Sequence, residues 1–322
     1  MAESRKQAFF FHMFLLSAFK MKGEMPMEKR KLEDLHLLDD FLFGSMVSYP
    51  EIGERFVKLL LKTILGKEPE KLTVVPQKFY YGTDTDQHGA RLDVYLEENP
   101  DDESEKSTTV YDMEPDKNSD KDAIQALPRR VRFYHAKIDS NSLASGESYT
   151  NLKNVFVILI TPYDPFHLNR MVYTIRNACE EVPSLPYDDG AKTIFLYTKG
   201  TEGNPSEELL QLLHYMEHTK EETAVNDSLK ELHQMVNVVK HDREVSLNYM
   251  KSFERDQMLI KQGLSQGLEQ GLSQGLEQGL KQGREQERAN TERERLRAEH
   301  AEKELALLKK QLDNLTLSSE HS

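Results

Sequence analysis

The sequence is poor in cysteine, in tryptophan and in classical enzyme motifs. Among 322 residues there is one cysteine, Cys179, and no tryptophan. A single cysteine excludes an internal disulfide framework and a zinc site built from several cysteines, and it is typical of the reducing cytoplasm. Neither a Walker phosphate-binding loop nor a His-Glu-x-x-His motif is present, so P-loop nucleotide hydrolases and zinc proteases have no support.

Long hydrophobic runs are also lacking. The apolar run at residues 8–19 is short beside the ~20 residues that a membrane-spanning helix needs. No cleavage site of the Ala-x-Ala type follows it, which argues against a secretory signal peptide. We therefore expect residues 1–27 to be an extension ahead of a natural start at Met25 or Met27, and we expect no membrane association.

Positive charge is scarce, since 42 Lys and Arg face 55 Asp and Glu and leave a net charge of −13. Nucleic-acid binding depends largely on contacts of Lys and Arg with phosphates. Any nucleic-acid surface on this chain must therefore be local. The length is sufficient for one sizeable domain with appendages.

Two short segments rich in β-branched and aromatic residues, 90–96 and 109–117, predict neighbouring strands, and the acidic run 97–107 between them predicts an exposed hairpin loop. Pairing of the strands would bring Asp93 beside Glu114, with Asp116 on the same face as Glu114 because side chains alternate along a strand. Carboxylates are the ligands that Mg²⁺ and Mn²⁺ prefer. The segment is therefore either a metal site suited to phosphodiester hydrolysis or a solvated acidic hairpin.

Several phrases around these strands occur in an order that resembles the PD-(D/E)XK nuclease family transposases, also called recombination-promoting nucleases. The phrases are Leu-Asp-Asp-Phe-Leu-Phe at 38–43, Arg-Leu-Asp-Val at 91–94, Val-Tyr-Asp-Met-Glu at 110–114, Leu-Pro-Arg-Arg-Val-Arg-Phe-Tyr at 127–134, Gly-Glu-Ser-Tyr at 146–149 and Tyr-Asp-Pro-Phe at 163–166. The resemblance covers roughly residues 34 to 280 and depends on their order.

The resemblance implies a restriction-endonuclease-like α/β fold, with a mixed sheet flanked by helices, and a metal-dependent DNA endonuclease linked to DNA recombination. Asp93 and Glu114 would hold Mg²⁺ or Mn²⁺, and a Gln or Lys two residues after Glu114 would orient the attacking water. This chain has Asp116 there, after Pro115, so Lys117 is the candidate substitute. The alternative is a catalytically degenerate nuclease fold that acts as an oligomeric scaffold for protein partners.

The densest basic cluster lies in a segment, 120–143, with helical spacing. We expect it to contact DNA phosphates across the metal site. The candidate nucleic-acid-binding residues are Arg129, Arg130, Arg132 and Tyr134. An ordinary amphipathic helix is the alternative, and Pro128 is expected to start the helix or to kink it.

The remaining patterns complete the predicted domain. Apolar spacing predicts two packed helices at 35–65, and the strand at 73–81 would make a three-stranded meander with the two strands described above. The continuous apolar run 155–160 predicts a buried central strand. Further strands are expected at 171–175 and 193–197. The predicted organisation is a nuclease-like domain at 28–200, a helical subdomain at 201–260, a repeat at 261–283 and a charged helix at 284–322.

The repeat places glycine at every fourth position from Gly263 to Gly283. Its Gly-x-Ser-x-Gly matches lack a preceding strand, so we assign them no catalysis. A helix with this composition is either marginal or stabilised by a partner, because glycine costs about 1 kcal/mol relative to alanine. The apolar spacing of Ala301, Leu305 and Leu308 continues to Leu315 and predicts a short coiled coil, so we expect homo-oligomerisation through the C-terminal helix.

Overall fold

The computed structural model describes residues 30–69, 71–80, 90–99 and 108–319. The predicted extension 1–27 and most of the predicted hairpin loop, at 100–107, lie outside the described residues. The chain divides into two compact units, with the boundary after Tyr249. The first unit contains the sheet, and the second belongs to the long C-terminal helix.

The first unit is built on a six-stranded mixed sheet in the order β1-β2-β3-β4-β6-β5. Antiparallel pairing joins the first three strands, and parallel pairing joins β3 to β4 and β4 to β6. The strands are β1 (Lys71–Tyr80), β2 (Ala90–Asn99), β3 (Thr109–Pro115), β4 (Asn154–Thr161), β5 (Val172–Ile175) and β6 (Ala191–Tyr197). The predicted mixed α/β architecture, the meander and the buried central strand are confirmed.

Helices cover both faces of the sheet. In chain order they are α1 (Asp40–Ser48), α2 (Gly53–Leu65), α3 (Lys121–Ser140), α4 (Glu207–Glu217) and α5 (Asp227–His241). The buried face of α3 packs on one side of the sheet, with Leu127 and Val131 near Val157. The other four helices share a larger core with the opposite side, where Tyr111 and Met113 of β3 lie. Two layers of helices thus enclose the sheet, as expected for a central strand that is apolar throughout.

Local chemistry sets the ends of these helices. The carboxylate of Asp120 caps α3 by accepting hydrogen bonds from the backbone N–H groups of Asp122 and Ala123, because the first N–H groups of a helix have no partner within it. Ser206 caps α4 in the same way. Gly66 ends α2 at a φ of 75°, a left-handed conformation that favours glycine.

Two predicted strand boundaries were wrong. Strand β2 continues to Asn99 instead of ending at residue 96, since Glu97 is neutralised by Lys153 at 2.6 Å and an acidic side chain with a partner fits a strand. Strand β3 ends at Pro115, where proline is tolerated because the pairing with β2 has already ended at Asp112. Pro128 lies inside α3, so of the two predicted alternatives it does not start the helix.

The last helix, α6 (Arg243–Ser319), includes the repeat of glycines and the predicted coiled-coil segment. Residues of the repeat are exposed on all sides, and the space around each glycine is open. Among the residues that the structure describes, no helix is both long and apolar enough to cross a membrane.

Candidate functional site

Acidic side chains gather where β2 and β3 separate. The antiparallel register pairs Tyr95 with Asp112 and continues to Glu98 and Thr109. Extending this register by two residues along each strand would bring Asp93 opposite Glu114. Tyr95 and Val110 lie in the core beneath α3, so strand alternation places Asp93, Asp112 and Glu114 on that same face. The predicted meeting of Asp93 and Glu114 is therefore consistent with the register.

The acids at this face are deeply buried. Asp112 is fully buried, and Glu114 and Asp116 are 5% and 9% exposed. Burial raises the pKa of Glu114 to about 8, and the charge of Asp93 adds to the increase. Burial and the charges of Glu114 and Asp93 also raise the pKa of Asp112 well above its ordinary value. Because these carboxyl groups act on one another, they form one cluster, which we call the carboxylate cluster: Asp93, Asp112 and Glu114.

Three oxygens of this cluster have no hydrogen-bond partner within the described part of the chain. They are both carboxyl oxygens of Asp112 and Oε1 of Glu114, all buried. Buried polar atoms are nearly always hydrogen-bonded, because desolvation without compensation is costly. Unpartnered carboxyl oxygens on neighbouring residues of one strand face are suited to a cation.

The potential metal ligands at this site are carboxylate oxygens. No group of three or more His, Cys, Asp and Glu side chains is arranged as a metal site among the described residues. Magnesium is usually bound through one or two carboxylates, with water and substrate phosphates as its other ligands. An incomplete set of hard oxygen donors, with unpartnered oxygens on Asp112 and Glu114, therefore fits such an ion.

Asp116, the residue that departs from the family pattern, is engaged with other residues. Its backbone N–H donates to the carbonyl of Ile160 at 2.9 Å, which fixes the chain just after β3. Oδ1 accepts from the backbone N–H of Asn118 at 2.8 Å, and Oδ2 accepts from Nη2 of Arg130. Burial and the charge of Asp116 raise the pKa of Tyr163. The third carboxylate therefore has a cationic partner.

Helix α3 divides the predicted DNA-binding residues into two groups. Arg130 and Tyr134 are one helical turn apart and face the carboxylate cluster, where burial and then the charge of Glu114 raise the pKa of Tyr134. The guanidinium of Arg130 lies 5.9 Å from the centre of the Tyr134 ring. Arg129 and Arg132 are exposed to solvent. Arg130 and Tyr134 thus face the carboxylate cluster, and Arg129 and Arg132 face solvent.

The predicted substitute, Lys117, forms an ion pair with Asp39. Its Nζ lies 2.6 Å from Oδ1 of Asp39, which also pairs with Arg30. Since its ammonium is occupied there, the structure associates Arg130, and not Lys117, with Asp116.

Sequence reasoning assigned no role to Asp112 or Tyr163 and did not foresee the pairing of Asp116 with Arg130. A signal for Asp112 was available, because a residue two positions before Glu114 must share its strand face. The pairing had no local signal, since its partners are 14 positions apart in different elements.

A groove of about 770 Å³ lies elsewhere in the first unit, between α1, the middle of β1 and the start of α6. Asp40, Glu51 and Asp242 are among its lining residues. The groove contains none of the unpartnered buried polar atoms found among the described residues. We therefore place the candidate site at the carboxylate cluster.

Comparison with known proteins gives no match to any family model, to any curated protein or to any solved structure.

Proposed function

We propose that the protein is a metal-dependent DNA endonuclease that hydrolyses phosphodiester bonds. The observation that carries the proposal is the carboxylate cluster, in which Asp112 and Glu114 present unpartnered buried oxygens beside Arg130 and Tyr134. Acidic oxygens next to a guanidinium and a phenol are the chemistry required by a phosphate group and its metal ion.

Asp93 and Glu114 would hold the Mg²⁺ or Mn²⁺ ion, with Asp112 adjacent on β3. When bound, such an ion lowers the pKa of a coordinated water and neutralises charge at the scissile phosphate. Placing carboxylates in a buried position is costly without a cation. A bound cation would offset that cost.

The chain's own residues would bind and orient the DNA. Arg130 and Tyr134 offer N–H and O–H donors to the phosphate next to the carboxylate cluster, while Arg129 and Arg132 on the exposed side of α3 contact flanking phosphates. Hydrolysis adds water across one P–O bond and leaves a phosphate monoester and a hydroxyl. A local basic strip on one helix is compatible with a net charge of −13, because screening limits repulsion beyond roughly 10 Å.

We also propose that the first unit has the restriction-endonuclease-like fold. An antiparallel meander, β1-β2-β3, is followed by helix α3 and by β4 parallel to β3, which suits the restriction-endonuclease-like fold. The family resemblance of the sequence points to the same fold, and to a role in DNA recombination.

A non-catalytic scaffold is the second candidate, and α6 favours it. Leucines recur at every fourth position along the repeat and are 45–68% exposed; they are Leu264, Leu268, Leu272, Leu276 and Leu280. A row of exposed leucines is suited to contact with another helix. We propose that the protein forms a homo-oligomer through this helix, with or without catalysis.

Cleavage of supercoiled plasmid DNA in the presence of Mn²⁺ tests the endonuclease. We expect wild type to nick the plasmid, and Asp93→Ala and Glu114→Gln to abolish nicking, because each removes a metal ligand. Glu54→Gln is the matched control, since Glu54 is exposed and pairs with Lys58 on α2. Nicking that appears only in Asp116→Gln would favour the scaffold.

A further inference from the structure

Asp116 is placed to orient the guanidinium of Arg130. Its oxygens are already engaged in hydrogen bonds, which leaves little room for it to bind a metal ion. Both of its oxygens already accept hydrogen bonds, one from the backbone of Asn118 and one from Arg130. The backbone of Asp116 is also fixed to Ile160. Because the carboxylate of Asp116 is held in place and its Oδ2 accepts from Arg130, it fixes the direction of the Arg130 guanidinium.

Arg130 lies between the carboxylate cluster and solvent. Its side chain is 32% exposed, so an anion can approach one side of it. Its Nε is buried and has no hydrogen-bond partner among the residues described. Burial alone would lower the pKa of Arg130, but the hydrogen bond and charge of Asp116 and the charge of Glu114 raise it. The guanidinium is thus charged, fixed by one nitrogen and still able to donate elsewhere.

We propose that Arg130 is the cationic catalytic residue, reaching the site from helix α3, and that Asp116 is its positioning residue. This inference rests on the proposed endonuclease function. Where the family resemblance implies a Gln or Lys that orients water, this chain has Asp116, which positions a guanidinium. The guanidinium would donate to a non-bridging oxygen of the scissile phosphate as negative charge develops there.

The other basic residues near the site are less suited to this role. Lys117 is paired with Asp39. Arg129 and Arg132 are exposed, so water would screen their effect on a phosphate at the cluster. Arg130 is the basic residue that pairs with Asp116, and the charge of Glu114 contributes to the raised pKa of Arg130.

The experiment is a double-mutant cycle on the full chain, read as kcat and KM for Mn²⁺-dependent nicking. We expect Arg130→Met to lower kcat by about 10²–10³-fold, as for the loss of one preorganised donor. Asp116→Asn should lower kcat by about tenfold, and the double variant should be no slower than Arg130→Met, because residues that act through one another are not additive. Arg132→Met, which makes the same change on the exposed side of α3, should raise KM and leave kcat within about twofold.

Two further measurements are needed. The first distinguishes the loss of the Arg130 contact from a folding defect, and the second tests the contact even if the protein is not a nuclease. Arg130→Lys keeps a charge beside Asp116, so it should melt close to wild type and still lose kcat, since a lysine lacks the planar fork. Binding of a short labelled DNA duplex in Ca²⁺ is measured against salt. If wild type does not cleave but Arg130→Met reduces the salt slope by about one, the phosphate contact stands without the nuclease.

Full kcat in Arg130→Met, or equal additive losses in the cycle, would overturn the inference even if the enzyme is active. Unchanged duplex binding by Arg130→Met in a wild type that does not cleave would overturn it as well.

Discussion

Lys117 and Asp39 form an ion pair, 2.6 Å from Nζ to Oδ1, that ties the segment after β3 to the residue preceding α1. Asp39 also accepts hydrogen bonds from Arg30 at 3.0 Å and from the backbone N–H of His36 at 2.7 Å. Its side chain is 13% exposed, so solvent screens these contacts only in part. This network holds residues 30–39 beside the end of β3.

We expect Asp39→Asn to lower the free energy of unfolding by about 1–3 kcal/mol, the usual range for hydrogen bonds to a charged group. Urea denaturation at neutral pH measures the change. Asp34→Asn is the control, because Asp34 is exposed, and it should unfold like wild type. Equal stabilities of Asp39→Asn and wild type would show that the network contributes nothing.

The ion pair of Lys117 and Asp39 makes the free energy of unfolding depend on pH. Burial would raise the pKa of Asp39, but the hydrogen bonds from Lys117, His36 and Arg30 together hold it below its ordinary value of 3.8. A depressed pKa means that the folded state releases the proton more readily than the unfolded chain. The contribution to stability is therefore complete above the ordinary pKa and is lost as the pH falls through the lower pKa of the folded state. The gap between wild type and Asp39→Asn should shrink in that acidic range.

We expect Asp112→Leu to stabilise the metal-free protein. The carboxyl group of Asp112 is fully buried and its oxygens lack partners in the described chain, and replacing such a group by an apolar one of similar size removes a desolvation cost of about 1–3 kcal/mol. The melting temperature should rise by about 2–4 °C per kcal/mol for a unit of this size. A lower melting temperature would mean that Asp112 is structurally required.

Much of the fold could be predicted because its signals are local. The apolar run 155–160 and the alternation around Asp93 and Glu114 each belong to one short segment, and both were placed correctly within a mixed sheet. The register that brings the two strands together follows from the side of the sheet that each strand buries.

The charge balance of the site could not be predicted in this way. Whether Arg130 or its neighbours face inward depends on the rotation of α3 about its axis, and Pro128 inside the helix made that phase uncertain. The partner of Asp116 depends on how a helix lies across a sheet, which is a tertiary property. In the fold, the carboxylate of Asp116 pairs with the guanidinium of Arg130.

We expect Mn²⁺ binding, measured by calorimetry, to separate the acids of the site by role. Glu114→Gln should weaken binding by at least about tenfold, because it removes a charged ligand. Asp116→Asn should bind Mn²⁺ within about threefold of wild type, since the oxygens of Asp116 are engaged with Asn118 and Arg130; that factor corresponds to less than about 1 kcal/mol. Equal losses in the two variants would make Asp116 a ligand and contradict its positioning role.

Substitution of the glycines in the repeat tests their effect on the helix content of α6. The space around Gly267, Gly271 and Gly275 in α6 is open, so an added methyl group meets nothing. Replacing all three by alanine should raise the helix content measured by circular dichroism, because each glycine costs about 1 kcal/mol relative to alanine in a helix interior. Gly66→Ala is the control of opposite sign, because a φ of 75° strains alanine and should lower the stability of the first unit.

Sedimentation of the triple-alanine variant then shows whether the repeat contacts a second chain. If glycine serves close approach of two helices, the added methyl groups separate them, and the oligomer should dissociate although each helix is intrinsically more stable. If the exposed leucines alone make the contact, the more helical variant should associate at least as strongly as wild type. An oligomer that is lost while helix content rises would therefore assign the glycine row to the interface itself.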